Sequence, residues 1–137
     1  MPSDSSSDPN AKMQQLRTVR KKLLALHKAL LDSEKGIYEQ FYGRIQTTGE
    51  YFRLVTSHDW FSWLRPISQF IVQMDDVIHA KEPIAPETID QLLQQAQQLM
   101  QPDAEGTSLN KRYLHAIQRD PNIALMHADF TQQFASQ

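Results

Sequence analysis

Residues 13–45 read MQQLRTVRKKLLALHKALLDSEKGIYEQFYGRI, and apolar side chains return there every three, four or seven positions. This spacing places them on one face of an α-helix, so the segment predicts a long amphipathic helix that packs against a core. The predicted apolar stripe consists of Leu16, Val19, Leu23, Leu24, Leu30, Leu31, Ile37, Phe41 and Ile45. Gly36 lies inside the segment, and glycine destabilises a helix interior by about 1 kcal/mol relative to alanine. The sequence therefore leaves open whether the helix is straight, is kinked at Gly36 or is followed by a second helix there.

A second apolar stretch, WFSWLRPISQFIVQMDDVI, covers residues 60–78 and predicts a central helix. Pro66 interrupts it, because proline lacks a backbone donor and either kinks a helix or begins a new one. Shorter helical patterns cover residues 50–55 and 86–100, and others follow residues 106–108 and Pro121; no segment shows the alternation of a strand. We therefore expect an all-α fold, an irregular antiparallel helical bundle of five to six helices.

The chain has 137 residues, the size of one domain. Residues 1–11 are rich in serine, aspartate and proline and predict a disordered N-terminal tail, and residues 12–137 predict a single helical bundle domain. Cysteine is absent, which excludes disulfides, thiolate metal sites and cysteine nucleophiles. No secretory signal pattern and no apolar run of roughly 18 residues occurs, so we expect a cytoplasmic protein outside the membrane.

The net charge of −2 is unevenly distributed along the sequence. Residues 12–35 carry seven Lys and Arg against two acidic residues, a net +5, which leaves −7 for the rest of the chain. Arg17, Lys21, Lys28 and Lys35 form a basic face on the first helix, and weak nucleic-acid binding is one reading of it. The pI of 6.2 and the lack of interleaved aromatic residues instead favour a solvated face or pairing with the acidic remainder.

No catalytic or metal-binding motif is present. The five histidines show neither the Glu-x-x-His nor the His-Glu-x-x-His spacing of helical metal sites, and four scattered glycines form no phosphate-binding loop. Ser57, His58 and Asp59 are consecutive and point about 100° apart on a helix, so they cannot converge as a triad. Instead, Ser57 is predicted to cap a helix, with Asp59 in its first turn. The sequence thus predicts no enzyme, no catalytic residues, no metal and no cofactor.

Two sets of residues are candidates for binding. Phe61, expected to be exposed because it falls off the apolar stripe, forms an interaction surface with Trp63 and Arg65 in one interpretation. In the other, His27, Trp60 and Trp63 form a pocket for a small ligand or cofactor. The plainer interpretation is that the tryptophans pack in the core and that His27 is a core histidine with one hydrogen-bond partner.

The sequences WLRPIS at residues 63–68 and MDD at 74–76, read with LHK at 26–28 and LLD at 30–32, resemble small uncharacterised bacterial all-helical proteins with no assigned activity. The resemblance implies a bacterial, cytosolic origin and transfers no functional residue. Our preferred hypothesis from the sequence is a non-enzymatic helical interaction module whose partner is another protein or a second copy in a homodimer. A ligand-binding bundle and a weak nucleic-acid binder are the alternatives.

Overall fold

The computed structural model describes residues 9–135. Within this range the chain forms six α-helices and one 3₁₀ helix and contains no strand, which confirms the predicted all-α class. The α-helices are α1 (Pro9–Tyr42), α2 (Thr48–Ser57), α3 (Arg65–Ile78), α4 (Pro86–Leu99), α5 (Ser108–Arg119) and α6 (Pro121–Gln132), and the 3₁₀ helix covers Asp59–Leu64.

Helix α1 is a single helix of 34 residues. The helix continues through Gly36 without a second start, and this residue lies on an exposed side of the helix. The helix ends at Gly43, whose φ of +90° suits a residue without a Cβ and whose N–H donates to the carbonyl of Glu39 at 3.0 Å. None of the described helices, α1 included, has an apolar stretch long enough to cross a lipid bilayer.

The predicted boundary between tail and domain is wrong by three residues. Helix α1 begins at Pro9, a residue type that suits the first turn of a helix because its missing N–H needs no partner there. Residues 9–11 therefore belong to the helix and not to the predicted tail. The rest of the predicted tail, residues 1–8, lies outside the described residues, as do residues 136–137.

The apolar face of α1 forms the centre of the core. Its fully buried side chains are Leu16, Val19, Leu23, Leu26 and Leu30. Helices α3, α4 and α6 and the 3₁₀ helix all pack against α1, so α1 is central, whereas the sequence predicted this position for residues 60–78. The predicted stripe is also wrong at Leu24, which is 42% exposed, and at Phe41, which is 72% exposed.

Residues 60–78 form two elements. The 3₁₀ helix ends at Leu64, and α3 begins at Arg65 with Pro66 in its first turn, so proline starts a new helix here and does not kink an existing one. His58 precedes the 3₁₀ helix and caps it, because its Nδ1 accepts from the backbone N–H of Trp60 at 3.0 Å. The expected cap, Ser57, instead donates its hydroxyl to the carbonyl of Arg53 within α2.

The positive charge of α1 is partly neutralised by aspartates on three other helices. Lys12 pairs with Asp90 of α4 at 2.6 Å, Arg20 with Asp75 of α3 at 2.7 Å, and Lys22 with Asp129 of α6 at 2.6 Å. The basic helix thus pairs with the acidic remainder of the chain. Partly exposed pairs such as these contribute at most about 1 kcal/mol each, so their main effect is to favour one register between helices.

The neighbouring leucines Leu24 and Leu26 provide a matched test of this core. Leu26→Ala should reduce the free energy of unfolding by about 2–5 kcal/mol, because it leaves a cavity in a fully buried site. Leu24→Ala should reduce it by no more than about 1 kcal/mol, since Leu24 is already 42% exposed to water. Urea denaturation followed by circular dichroism measures both, and equal losses would contradict the assignment of the two faces of α1.

Candidate functional site

An aromatic cluster forms where the C-terminal end of α1 meets the 3₁₀ helix. Its members are Tyr38, Phe41 and Tyr42 of α1, His58, and Trp60 and Phe61 of the 3₁₀ helix. The ring centroid of Tyr38 lies 4.8 Å from that of Tyr42, 5.7 Å from those of His58 and Phe61, and 5.8 Å from that of Trp60. Most of these pairs are tilted or edge-to-face, the arrangements that aromatic quadrupoles favour. The six rings therefore form one continuous packed group.

The cluster is buried on one side and open to solvent on the other. Phe61 is fully buried at the base of the cluster, so the expectation of an exposed Phe61 that contacts a partner is wrong. Phe41 is 72% exposed and Tyr42 64% exposed, while His58 is exposed and Trp60 half-buried. We call Phe41, Tyr42, His58 and Trp60 the aromatic surface. It is an exposed patch of large side chains that lies on packed aromatic rings.

Glu34 fixes the position of Trp60 within this surface. Its side chain is only 8% exposed, and its Oε2 accepts a hydrogen bond from Trp60 Nε1 at 2.8 Å. Burial raises the pKa of Glu34, while the hydrogen bond from Trp60 and the charge of Arg119, whose Nη2 lies 3.8 Å from Oε1, act in the opposite direction. This hydrogen bond and the packed rings therefore hold the indole in one orientation.

A cavity of about 300 Å³ lies between α1, α2, the 3₁₀ helix and α3. Its apolar lining residues are Val55, Phe61 and Leu64, and its polar ones are His27, Thr56, Arg65, Ser68 and Gln69. The structure thus brings together His27, Phe61 and Arg65, which the sequence had assigned to two different sites. Of the three residues predicted to form a ligand pocket, only His27 lines this cavity; Trp60 and Trp63 do not. We call this space the His27 cavity.

His27 is half-buried, and neither of its ring nitrogens has a hydrogen-bond partner in the described part of the chain. The interpretation of His27 as a core histidine with one partner is therefore wrong. Burial lowers its pKa, which favours the neutral ring with one N–H donor and one acceptor nitrogen. Trp63 is buried as well, and its Nε1 lacks a partner within residues 9–135. Trp63 thus packs in the core, as the plainer interpretation predicted, and is not part of an exposed interaction surface.

The predicted basic face is only partly available to a ligand. Lys28 pairs with Asp32 on the same helix at 3.0 Å, and the ammonium of Lys35 lies 5.0 Å from the centre of the Tyr51 ring. Arg17 and Lys21 are exposed and have no ion-pair partner among the residues described. Of the four residues predicted to form the basic face, only Arg17 and Lys21 are therefore free of such contacts among the residues described.

Another histidine contact joins α5 to α6. Tyr113 is fully buried, and its hydroxyl lies 2.8 Å from Nδ1 of His127. Burial raises the pKa of Tyr113 and lowers the pKa of His127, so both groups are held in their neutral forms. Over residues 9–135, no group of three or more His, Asp or Glu side chains is placed to hold a metal ion.

The sequence contains a signal for the aromatic cluster. Tyr38, Phe41 and Tyr42 are spaced by three and four positions and so share one helix face. Phe41 had been assigned to the apolar stripe that packs in the core. The arrangement offers two features suited to binding: the exposed aromatic surface and the His27 cavity, whose wall includes the cation Arg65.

The two histidines with lowered pKa should make the protein less stable in acid. Unfolded histidine takes up a proton near pH 6.5, whereas the folded sites resist it, so the free energy of unfolding should fall as the pH drops through 6.5. Glu34 has a raised pKa and acts in the opposite sense, so wild type should be compared with H27Q/H127Q, which retains Glu34. The double variant should lose less stability between about pH 7.5 and about pH 5.5 in urea titrations.

Direct NMR titration of the two imidazole rings checks the cause of this pH dependence. Both midpoints should lie below the ordinary value of 6.5, because burial disfavours the charged ring. Midpoints at or above 6.5 for both rings would contradict the assignment.

A comparison of the chain with protein-family models, with curated proteins and with solved structures finds no match. The resemblance to small bacterial helical proteins that rests on residues 63–68 and 74–76 stays a prediction.

Proposed function

We propose that this chain is a non-enzymatic helical interaction module that pairs with a second copy of itself through the aromatic surface. The observation that carries the proposal is the exposure of Phe41 and Tyr42 directly above a packed aromatic base. The lack of cysteine fits a reducing compartment, and we propose that the module acts in the cytoplasm.

Contact through these rings is favourable because water solvates them poorly. Removing apolar surface from water gains roughly 25 cal/mol per Å², and aromatic residues are enriched at the centres of protein interfaces for this reason. Trp60 is already held by Glu34, so little side-chain freedom is lost when a partner packs against it. Edge-to-face packing of rings across an interface adds to this gain.

A second copy fits this surface better than a strongly charged partner does. A twofold interface uses the same patch on both subunits, so the patch must be complementary to itself. Arg44 follows Tyr42 by two residues, and Asp59 directly precedes Trp60, and both are exposed. The surroundings of the aromatic surface therefore carry both signs of charge, which allows like patches to approach without net repulsion.

Sedimentation equilibrium over a range of concentrations tests the pairing. Wild type should show a reversible monomer–dimer equilibrium, and Phe41→Glu should shift it to monomer because it places a carboxylate in the apolar centre of the interface. Leu125→Glu is the matched control, because Leu125 is also 72% exposed but lies on α6, and it should leave the equilibrium unchanged.

Two outcomes would overturn the proposal. One is a wild-type chain that stays strictly monomeric up to roughly millimolar concentration, where even weak specific pairs form. The other is a dimer that persists in Phe41→Glu. Circular dichroism of both variants should match wild type, since neither side chain is buried.

A further inference from the structure

Arg65 is a cation without a counter-ion at the wall of the His27 cavity. Its Nη2 donates to the carbonyl of His58 at 3.1 Å, and no carboxylate pairs with its guanidinium in the described part of the chain. Its Nε is buried and has no hydrogen-bond partner there. Guanidinium does not lose its proton in proteins, so Arg65 keeps its positive charge here. An anion bound in the cavity would supply the counter-charge that the described residues do not.

The rest of the cavity wall narrows the class of that anion. The imidazole of His27 offers a donor and an acceptor that no described residue uses, while Val55, Phe61 and Leu64 supply an apolar wall. The hydroxyl of Ser68 already donates to the carbonyl of Arg65 at 3.0 Å, so its oxygen has only lone pairs left to offer. The cation of Arg65 and the free donor of His27, beside an apolar wall, match a singly charged anion that has an apolar part.

The volume and the guanidinium geometry point to a carboxylate. About 300 Å³ is at the lower end of small-molecule pockets, which favours a small ligand. The planar guanidinium matches a planar carboxylate in a charge-assisted contact. A phosphate monoester carries close to two charges and needs more donors than Arg65 and His27 provide.

We infer that the His27 cavity binds a small organic monocarboxylate, with Arg65 as the cationic contact, His27 as the hydrogen-bond donor and Phe61 against its apolar body. This site is separate from the aromatic surface and does not depend on self-association.

NMR titration with benzoate, hexanoate and the neutral isostere benzamide tests the inference. At least one carboxylate should give saturable shifts of the His27 ring and the Arg65 side-chain N–H, with contacts from the ligand to Val55 or Phe61. Benzamide should bind at least about tenfold more weakly, because it lacks the charge that guanidinium recognises. Binding of neither carboxylate up to its solubility, or equal binding of benzamide and benzoate, overturns the inference.

Variants separate this site from unspecific attraction and from the proposed dimer. Arg65→Gln should weaken carboxylate binding about tenfold or more, whereas Arg53→Gln, an exposed arginine of α2 outside the cavity lining, should leave it unchanged. Phe41→Glu should retain carboxylate binding even as a monomer, so the two proposals fail independently. Equal effects of Arg65→Gln and Arg53→Gln would show only general attraction of anions. If Arg65→Gln does not fold, the wild-type titration with its neutral isostere decides alone.

Discussion

The burial of the α1 stripe is the constraint on which the rest of the structure depends. Five of its side chains, from Leu16 to Leu30, are fully buried. The other α-helices contain 10 to 14 residues, a length at which an isolated helix is marginal in water, so they are stable only when packed on a partner. Helices α3, α4 and α6 find that partner in α1.

Helix α1 continues beyond this stripe, and its last turns lie in a different environment. Leu30 is its last fully buried leucine, and the helix runs twelve residues further to Tyr42. This end of α1 contacts the 3₁₀ helix and α2, and its buried side chain is the carboxylate Glu34, whereas the buried positions before it are leucines and a valine. A buried charge needs specific partners, so Trp60 and Arg119 are fixed relative to α1. Phe61 lies behind Trp60, contacts Tyr38 and Tyr51, and also lines the His27 cavity, so one ring separates the two candidate sites.

The sequence predicted the helices well and the exposure of single side chains less well, for identifiable reasons. Periodicity and prolines were enough for the all-α class and for the start of α4 at Pro86 and of α6 after Asp120, whose side chain caps the helix. Phe41 was misplaced because a periodic stripe does not show where the core ends along a long helix. Phe61 was misplaced because a 3₁₀ helix has three residues per turn, so an α-helical wheel assigns it to the wrong side. The His27 cavity depends on four elements that are distant in sequence, which no local pattern reveals.

The distribution of charge distinguishes Arg65 from the other basic residues. Three cations of α1 reach aspartates on α4, α3 and α6. Arg17 and Lys21 have no such partner, but they are exposed, so water solvates them at little cost. Arg65 is half-buried, its Nε is shielded from water, and Asp59, six residues earlier, does not pair with it, so water solvates its guanidinium less fully. The other interhelical cations are thus paired with aspartates, whereas Arg65 lies unpaired beside the His27 cavity. A ligand in that cavity can reach its guanidinium. For this reason the His27 cavity is a better anion site than the basic face of α1.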